Sequence, residues 1–358
     1  MLLNELASQT PVFSTLPMSM FFNQTPYETS PLNATNDMPI KGKLGLCGGS
    51  DVDLKNVKND FVGWFYDYNT WVHSEDQIKW ANDNKIEFVP MLGYHDVKFT
   101  DYKGACEMSG YTYAGKKTRK CTVEDIVADI KLTQSKLDVK MQYLLGFNEP
   151  WDTNWHLKYK KYVTPQDAAK FYGEYYIPVA KELGLKLITP STIMAKVKVD
   201  WIVDFFKTCW ELRNDTNACD VNTIEVFAMH HYTCHYDDYI NAYSLDSKKN
   251  SFYQYVVDAL TDSSWDGHNQ FDWETYIRGL PIWFTETSCE YDGPYEEYAK
   301  VSNVDECKRI TGQLGPHGRW KSGSVDAIRE MDNVHRMAWF LAYGNESSGF
   351  SETSMFNQ

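Results

Sequence analysis

The 358-residue chain sets 35 Lys and Arg against 49 Asp and Glu, a net charge of −14, with 43% hydrophobic residues. That acidity opposes phosphate backbones and anionic lipid, so nucleic acid and membrane surfaces are excluded as expected partners, and a neutral or cationic ligand suits the chain better. No run approaches the ~18 apolar residues of a membrane-spanning helix.

Residues 1–40 hold five of the 13 prolines, no Lys or Arg, and much Ser, Thr and Asn. They read as an irregular N-terminal arm. From residue 41 onward, short apolar runs alternate with helical patterns, the signature of repeated βα units and a parallel sheet. Eight strands are predicted, at 43–47, 61–66, 86–92, 142–147, 185–190, 223–231, 281–285 and 336–341. Eight is the number that closes a TIM barrel, so the expected fold is α/β, a single (β/α)8 barrel over 41–358.

Helices are clearest at 165–183, where Thr164 can cap, Pro165 suits the first position and Gly184 can end the helix. A helix at 199–212 carries Trp201, Ile202, Phe205, Phe206, Cys209 and Trp210 on one stripe, the spacing of a helix packed on a sheet. Two more are expected near 123–137, after Thr122, and from Ser324. Few residues follow the last strand, so either the barrel is incomplete at its last helix or the arm covers that gap, and the arm is expected to pack at least partly on the barrel.

Eight cysteines without repeated CxxC spacing disfavour a zinc ribbon or iron–sulfur cluster and are compatible with disulfides. Acceptor triplets for N-glycosylation at Asn23, Asn33, Asn214 and Asn345 point the same way. Together these predict a secreted or extracellular glycoprotein, although Met1-Leu2-Leu3-Asn4-Glu5 lacks the features of a signal peptide. Cys106 and Cys121 bracket residues 107–120 and can staple them. Aromatic residues make up 15% of the chain. Flat rings with polar tips match the apolar faces and hydroxyl rims of sugars, while most of these rings are needed for the core.

Chemistry enters at two strand ends. Tyr143-Leu144-Leu145 runs into Gly146-Phe147-Asn148-Glu149-Pro150, and Pro281-Ile282-Trp283-Phe284-Thr285 runs into Glu286. In a barrel the C-terminal strand ends converge, so Glu149 and Glu286 can meet across one bond, as a glycoside hydrolase requires. Their separation would decide between retention and inversion.

Four segments, 88–92, 146–150, 226–232 and 282–286, resemble in order and spacing the clan A glycoside hydrolases, specifically family 128. That resemblance covers roughly 42–343 and implies a retaining enzyme that cleaves β-1,3-glucan internally, without cofactor or metal, as a monomer. It implies Glu149 as acid/base, Glu286 as nucleophile and Asn148 on the sugar 2-hydroxyl. His230 and Tyr232 would flank the nucleophile, Tyr232 orienting it. Trp339 resembles the aromatic platform at the cleavage point, and Trp151 suits a neighbouring subsite. Trp283, of opposite strand parity to Glu286, is assigned to packing. Cys209 and Cys219 fit the position of a family cysteine pair. His231, where the family has tryptophan, and Thr287-Ser288-Cys289 after the nucleophile depart from the pattern.

Two other readings compete. A metal-dependent barrel hydrolase would use His230, His231 and His235 with His95 and Asp96, but neighbouring histidines on a strand face opposite ways. A non-catalytic glucan-binding or matrix protein on the same fold would not need both glutamates.

Overall fold

A computed structural model describes residues 42–47, 62–72, 74–93, 106–107, 119–151, 163–193, 196–215, 219–231, 236–287, 327–328 and 330–340. All belong to one compact unit, Asp37–Gln358. The N-terminal arm and its packing, the helix start at Ser324 and the end of the chain lie outside the described residues.

Every predicted strand is present. The elements are β1 (Leu44–Cys47), β2 (Val62–Tyr66), β3 (Glu87–Phe88), β4 (Cys106–Glu107), β5 (Arg119–Lys120), β6 (Tyr143–Leu144), β7 (Lys186–Ile188), β8 (Thr192–Ile193), β9 (Ile224–His230), β10 (Ile282–Thr287) and β11 (Val334–Phe340). One curled parallel sheet runs β3-β2-β1-β11-β10-β9-β7-β6, with β8 on β9 and β4-β5 forming a separate pair. At the two ends of that path, Met91 bridges Leu145: Leu145 N–H donates to Pro90 O (2.9 Å) and Leu92 N–H to Leu145 O (3.2 Å). The short β4, β5 and β8 pieces carried too little apolar pattern to be predicted.

Strand alternation sorts the core into two layers. Cys47, Trp64, Tyr66, Val89, Met91, Leu145, Ile188, Val226, Ala228, Trp283 and Ala338 cluster inside the sheet. Their neighbours Leu46, Phe65, Phe88, Leu144, Phe227, Met229, Phe284 and Met337 join the helices in the larger outer cluster. The predicted stripe on the helix Lys196–Leu212 is wholly buried there. Its Cys209 is bonded to Cys219, with Cα atoms 4.7 Å apart. Cys121 is also disulfide-bonded.

The helix expected at 165–183 contains a surprise. Thr164 accepts from Asp167 N–H, Pro165 opens the helix and Gly184 closes it at φ 64°. Between Pro165–Phe171 and Ile177–Leu183, however, Tyr172–Tyr176 form a π-helical turn. This wider turn stacks Tyr172 on Tyr176, with centroids 4.3 Å apart. Their hydroxyls donate to the strand-end carbonyls of Ile188 and Leu92 respectively.

At the N-terminal ends of the strands, Arg336 and Glu87 form an ion pair. Arg336 Nη2 donates to Glu87 Oε2 at 2.6 Å, and Glu87 Oε1 accepts from Gln142 N–H. The guanidinium lies 4.3, 4.8 and 5.5 Å from the ring centres of Trp283, Tyr143 and Trp64.

Candidate active site

Gly146, which opens the pentapeptide, has a steric reason to be glycine. A Cβ there would press on the Tyr172 hydroxyl and lie 2.7 Å from Thr189 O. The bare backbone lets β6 approach the end of β7 closely. Three residues later the chain bends sharply, and Glu149 takes φ 39°. A non-glycine residue is uncommon in that left-handed region and costs of order 1–3 kcal/mol, which the surroundings must offset.

The bend aims Glu149 at the end of β9. His230 Nδ1 is hydrogen-bonded to Glu149 Oε1 at 2.7 Å and lies 3.4 Å from Glu286 Oε2. His230 and Glu286 are aligned partners on adjacent strands, and His231 N–H donates to Glu286 O at 3.0 Å. One oxygen from each glutamate and a ring nitrogen of His230 all lie within 4.8 Å of one another. Those three donors are also the group, among the described residues, that could hold a divalent cation.

His230 is fully buried. Burial pushes its imidazole down, but the charges of Glu286 and Glu149, with the bond to Glu149, outweigh this and hold its pKa above the usual value. In its charged form the imidazole ties together two carboxyl groups that would repel when both are ionised. His231 behaves oppositely. It faces the outer layer, bonds Tyr243 Oη through Nδ1 at 2.7 Å, and burial lowers its pKa to about 3. Alternation on β9 thus separates the two histidines as expected. His95, Asp96 and His235 of the metal reading lie outside the described residues.

Tyr232, expected to orient the nucleophile, also lies outside them. Among the described residues the tyrosine on Glu286 is Tyr68, whose hydroxyl donates to Oε1 at 2.7 Å. Tyr68 stands just after β2, itself left-handed at φ 51°, with the buried Cys47 thiol 3.4 Å from its oxygen. Beneath it, Tyr66 Oη donates to Thr285 O at 2.9 Å, on the strand that presents Glu286. Burial, then Cys47 and Glu286, raise the Tyr66 phenol well above its ordinary range, keeping it a donor. The available signal was position: Asp67-Tyr68-Asn69 follows a strand at the same end of the sheet as both glutamates.

Asn148 sits beside Glu149, its Oδ1 buried and without a hydrogen-bond partner among the described residues. Trp339 is 0% exposed in the outer layer, because its neighbour Ala338 takes the inner position. Trp151, at 6%, belongs to the same outer cluster. Both rings are thus buried in that cluster. Trp283 is packed in the inner layer as assigned, but the parity argument for it fails. The β9–β10 register shifts between Phe284 and Glu286, so Trp283 and Glu286 both face inward.

The arrangement is a pair of carboxyl groups joined through one histidine at two strand ends, and the sequence matches the family described as Glycosyl hydrolase catalytic core over residues 44–358. The chain belongs to that family. Two solved structures resemble this glycosyl hydrolase in fold. One is a family 128, subgroup II endo-β-1,3-glucanase from Pseudomonas viridiflava, at 16% identity and TM-score 0.52, covering 89% of this chain and 94% of that one. The other is a subgroup VI exo-β-1,3-glucanase from Aureobasidium namibiae, at 13% identity and TM-score 0.50, covering 90% and 91%. Comparison with curated proteins returns no match.

Proposed function

We propose that this glycoside hydrolase cleaves β-1,3-glucan internally with retention of configuration, Glu286 acting as nucleophile and Glu149 as acid/base. The observation that carries the reading is the contact of both carboxylates within 4.8 Å through His230. Retaining enzymes hold their carboxyl groups ~5–5.5 Å apart, whereas inverting enzymes need ~6.5–9.5 Å to admit a water.

In the first step Glu286 attacks the anomeric carbon while Glu149 gives its proton to the departing glycosidic oxygen, and a glycosyl ester forms. In the second, Glu149 takes a proton from water, which attacks the same carbon and releases Glu286. Tyr68 and His230 each hold one oxygen of the nucleophile, so its attacking lone pair stays aimed. Asn148, with an unsatisfied carboxamide oxygen, is assigned to a sugar hydroxyl.

The β-1,3 linkage is the substrate of both similar structures, and internal cleavage follows the more similar of the two. We also read the sheet as a complete (β/α)8 barrel, supported by the hydrogen bonds between Pro90, Leu92 and Leu145. A secreted location is proposed from the Cys209–Cys219 disulfide, which suits an oxidising compartment.

The test is Glu286→Gln on laminarin. Cleavage should be abolished while glucan binding persists, and undiminished cleavage would refute the assignment. A wild-type protein that binds laminarin without cleaving it would favour the non-catalytic reading. An oligosaccharide ladder, rather than released glucose alone, is the product pattern expected of internal cleavage.

A further inference from the structure

Behind the loop that carries Tyr68 lies a hydrogen bond with no part in the chemistry above. Thr70 Oγ1 donates to Asp129 Oδ2, joining positions 59 residues apart. Both residues are buried, Thr70 at 2% and Asp129 at 5% exposure. Asp129 belongs to the helix Val123–Gln134, whose other buried residues are Ile126, Val127, Ile130 and Thr133. A carboxyl among such neighbours is costly unless a hydrogen bond compensates. An aliphatic side chain would serve packing better; what the acid adds is a directional bond to the loop.

The loop needs fixing. Tyr68 holds a left-handed backbone, which persists only when its surroundings over-determine it. Two other bonds help: Asn69 Nδ2 donates to Asp67 O at 2.7 Å, and Met91 N–H to Asn69 O at 2.9 Å. These restrain Asn69 from the strand side. Thr70–Asp129 fastens the next residue to the helix layer, so the loop is held from both sides of Tyr68's neighbour while the phenol reaches Glu286.

We propose that Thr70 and Asp129 are positioning residues for glycoside cleavage, fastening the loop after β2 so that the Tyr68 hydroxyl stays on Glu286 Oε1. They act through Tyr68 and touch no substrate. The proposal rests on Glu286 being the nucleophile, and its test separates the two ideas.

In the full-length protein, Thr70→Val and Asp129→Leu should each lower kcat on laminarin about ten-fold, the loss of one hydrogen bond to a charged group, with KM changed less than two-fold. Thr70→Ser and Asp129→Asn, which keep the hydroxyl and the acceptor, should retain activity within about two-fold. In a Tyr68→Phe background, Thr70→Val should cost nothing further, because coupled residues are non-additive. Losses that multiply, or an unchanged kcat in Thr70→Val, would overturn the proposal.

A readout independent of turnover is the ring signal of Tyr68 in tyrosine-labelled protein, assigned by its loss in Tyr68→Phe. Thr70→Val should shift or broaden that signal while Thr70→Ser leaves it in place; a signal unmoved by Thr70→Val would refute the latch. If the wild type cleaves no β-1,3-glucan, the substrate assignment falls while the ring signal still decides the latch.

Discussion

Two buried charge clusters lie at opposite ends of the same strands, and their construction differs. At the N-terminal ends Arg336 meets Glu87 one to one, with Gln142 N–H on the second carboxylate oxygen and three aromatic rings around the guanidinium. At the C-terminal ends a single His230 serves two carboxylates, each of which also carries the left-handed loops or bulged strand that aim it. The first cluster pairs one cation with one anion, while Arg336 Nη1 is buried without a hydrogen-bond partner among the described residues. The second sets two carboxyl groups against one imidazole and is held by irregular backbone. Barrel enzymes divide labour in this way, stability below and chemistry above.

That contrast can be broken from either side. The largest effect is expected at the lower cluster: Arg336→Met leaves Glu87 buried and unpaired and should cost about 3–5 kcal/mol in chemical denaturation, with activity per folded molecule preserved. Comparable loss of kcat would show that the two ends are not independent.

At the upper end, His230→Ala should lower kcat on the order of 10²- to 10³-fold with a smaller change in unfolding midpoint. The sign of its pH dependence follows from the raised imidazole. Its charged bonds to Glu149 and Glu286 are fully present below the unfolded histidine value and are lost as pH rises through the higher folded one. Wild-type kcat should therefore fall on the alkaline side, and that limb should flatten in His230→Ala.

Tyr68→Phe removes one donor to Glu286, the proposed nucleophile, and should cost about 10- to 100-fold in kcat. Activity retained in full would shift the orienting role to another group. The smallest effect concerns Asp129, whose carboxyl burial raises to about 6. Its contribution to stability is fully present below the unfolded value near 4 and is lost as pH rises through 6. Asp129→Asn should therefore flatten the fall in Tm between pH 4 and 7, which thermal scans across that range would detect.

The strands were readable because each is a dense apolar run, and both glutamates because each stands where such a run stops. The helix stripe from Trp201 to Trp210 was readable for the same reason: burial writes a period into sequence. What escaped are features that depend on partners distant in the chain. The bulge before Glu286 is imposed by β9 pairing, so counting parity along β10 placed Trp283 on the wrong face. The π-helical turn leaves no period of its own. Tyr68 and the Arg336–Glu87 pair are ordinary residues locally, separated from their partners by 218 and 249 positions.

The left-handed backbone of Glu149 makes the proposed acid/base residue a poor choice for the fold it sits in. Asparagine and glycine tolerate that conformation better than a long acidic side chain or alanine does. At position 149, inactive variants should thus rank by backbone fit, with Glu149→Asn and Glu149→Gly melting above Glu149→Ala. The ranking measures, in degrees, how far a glutamate at this turn departs from the turn's own conformational preference.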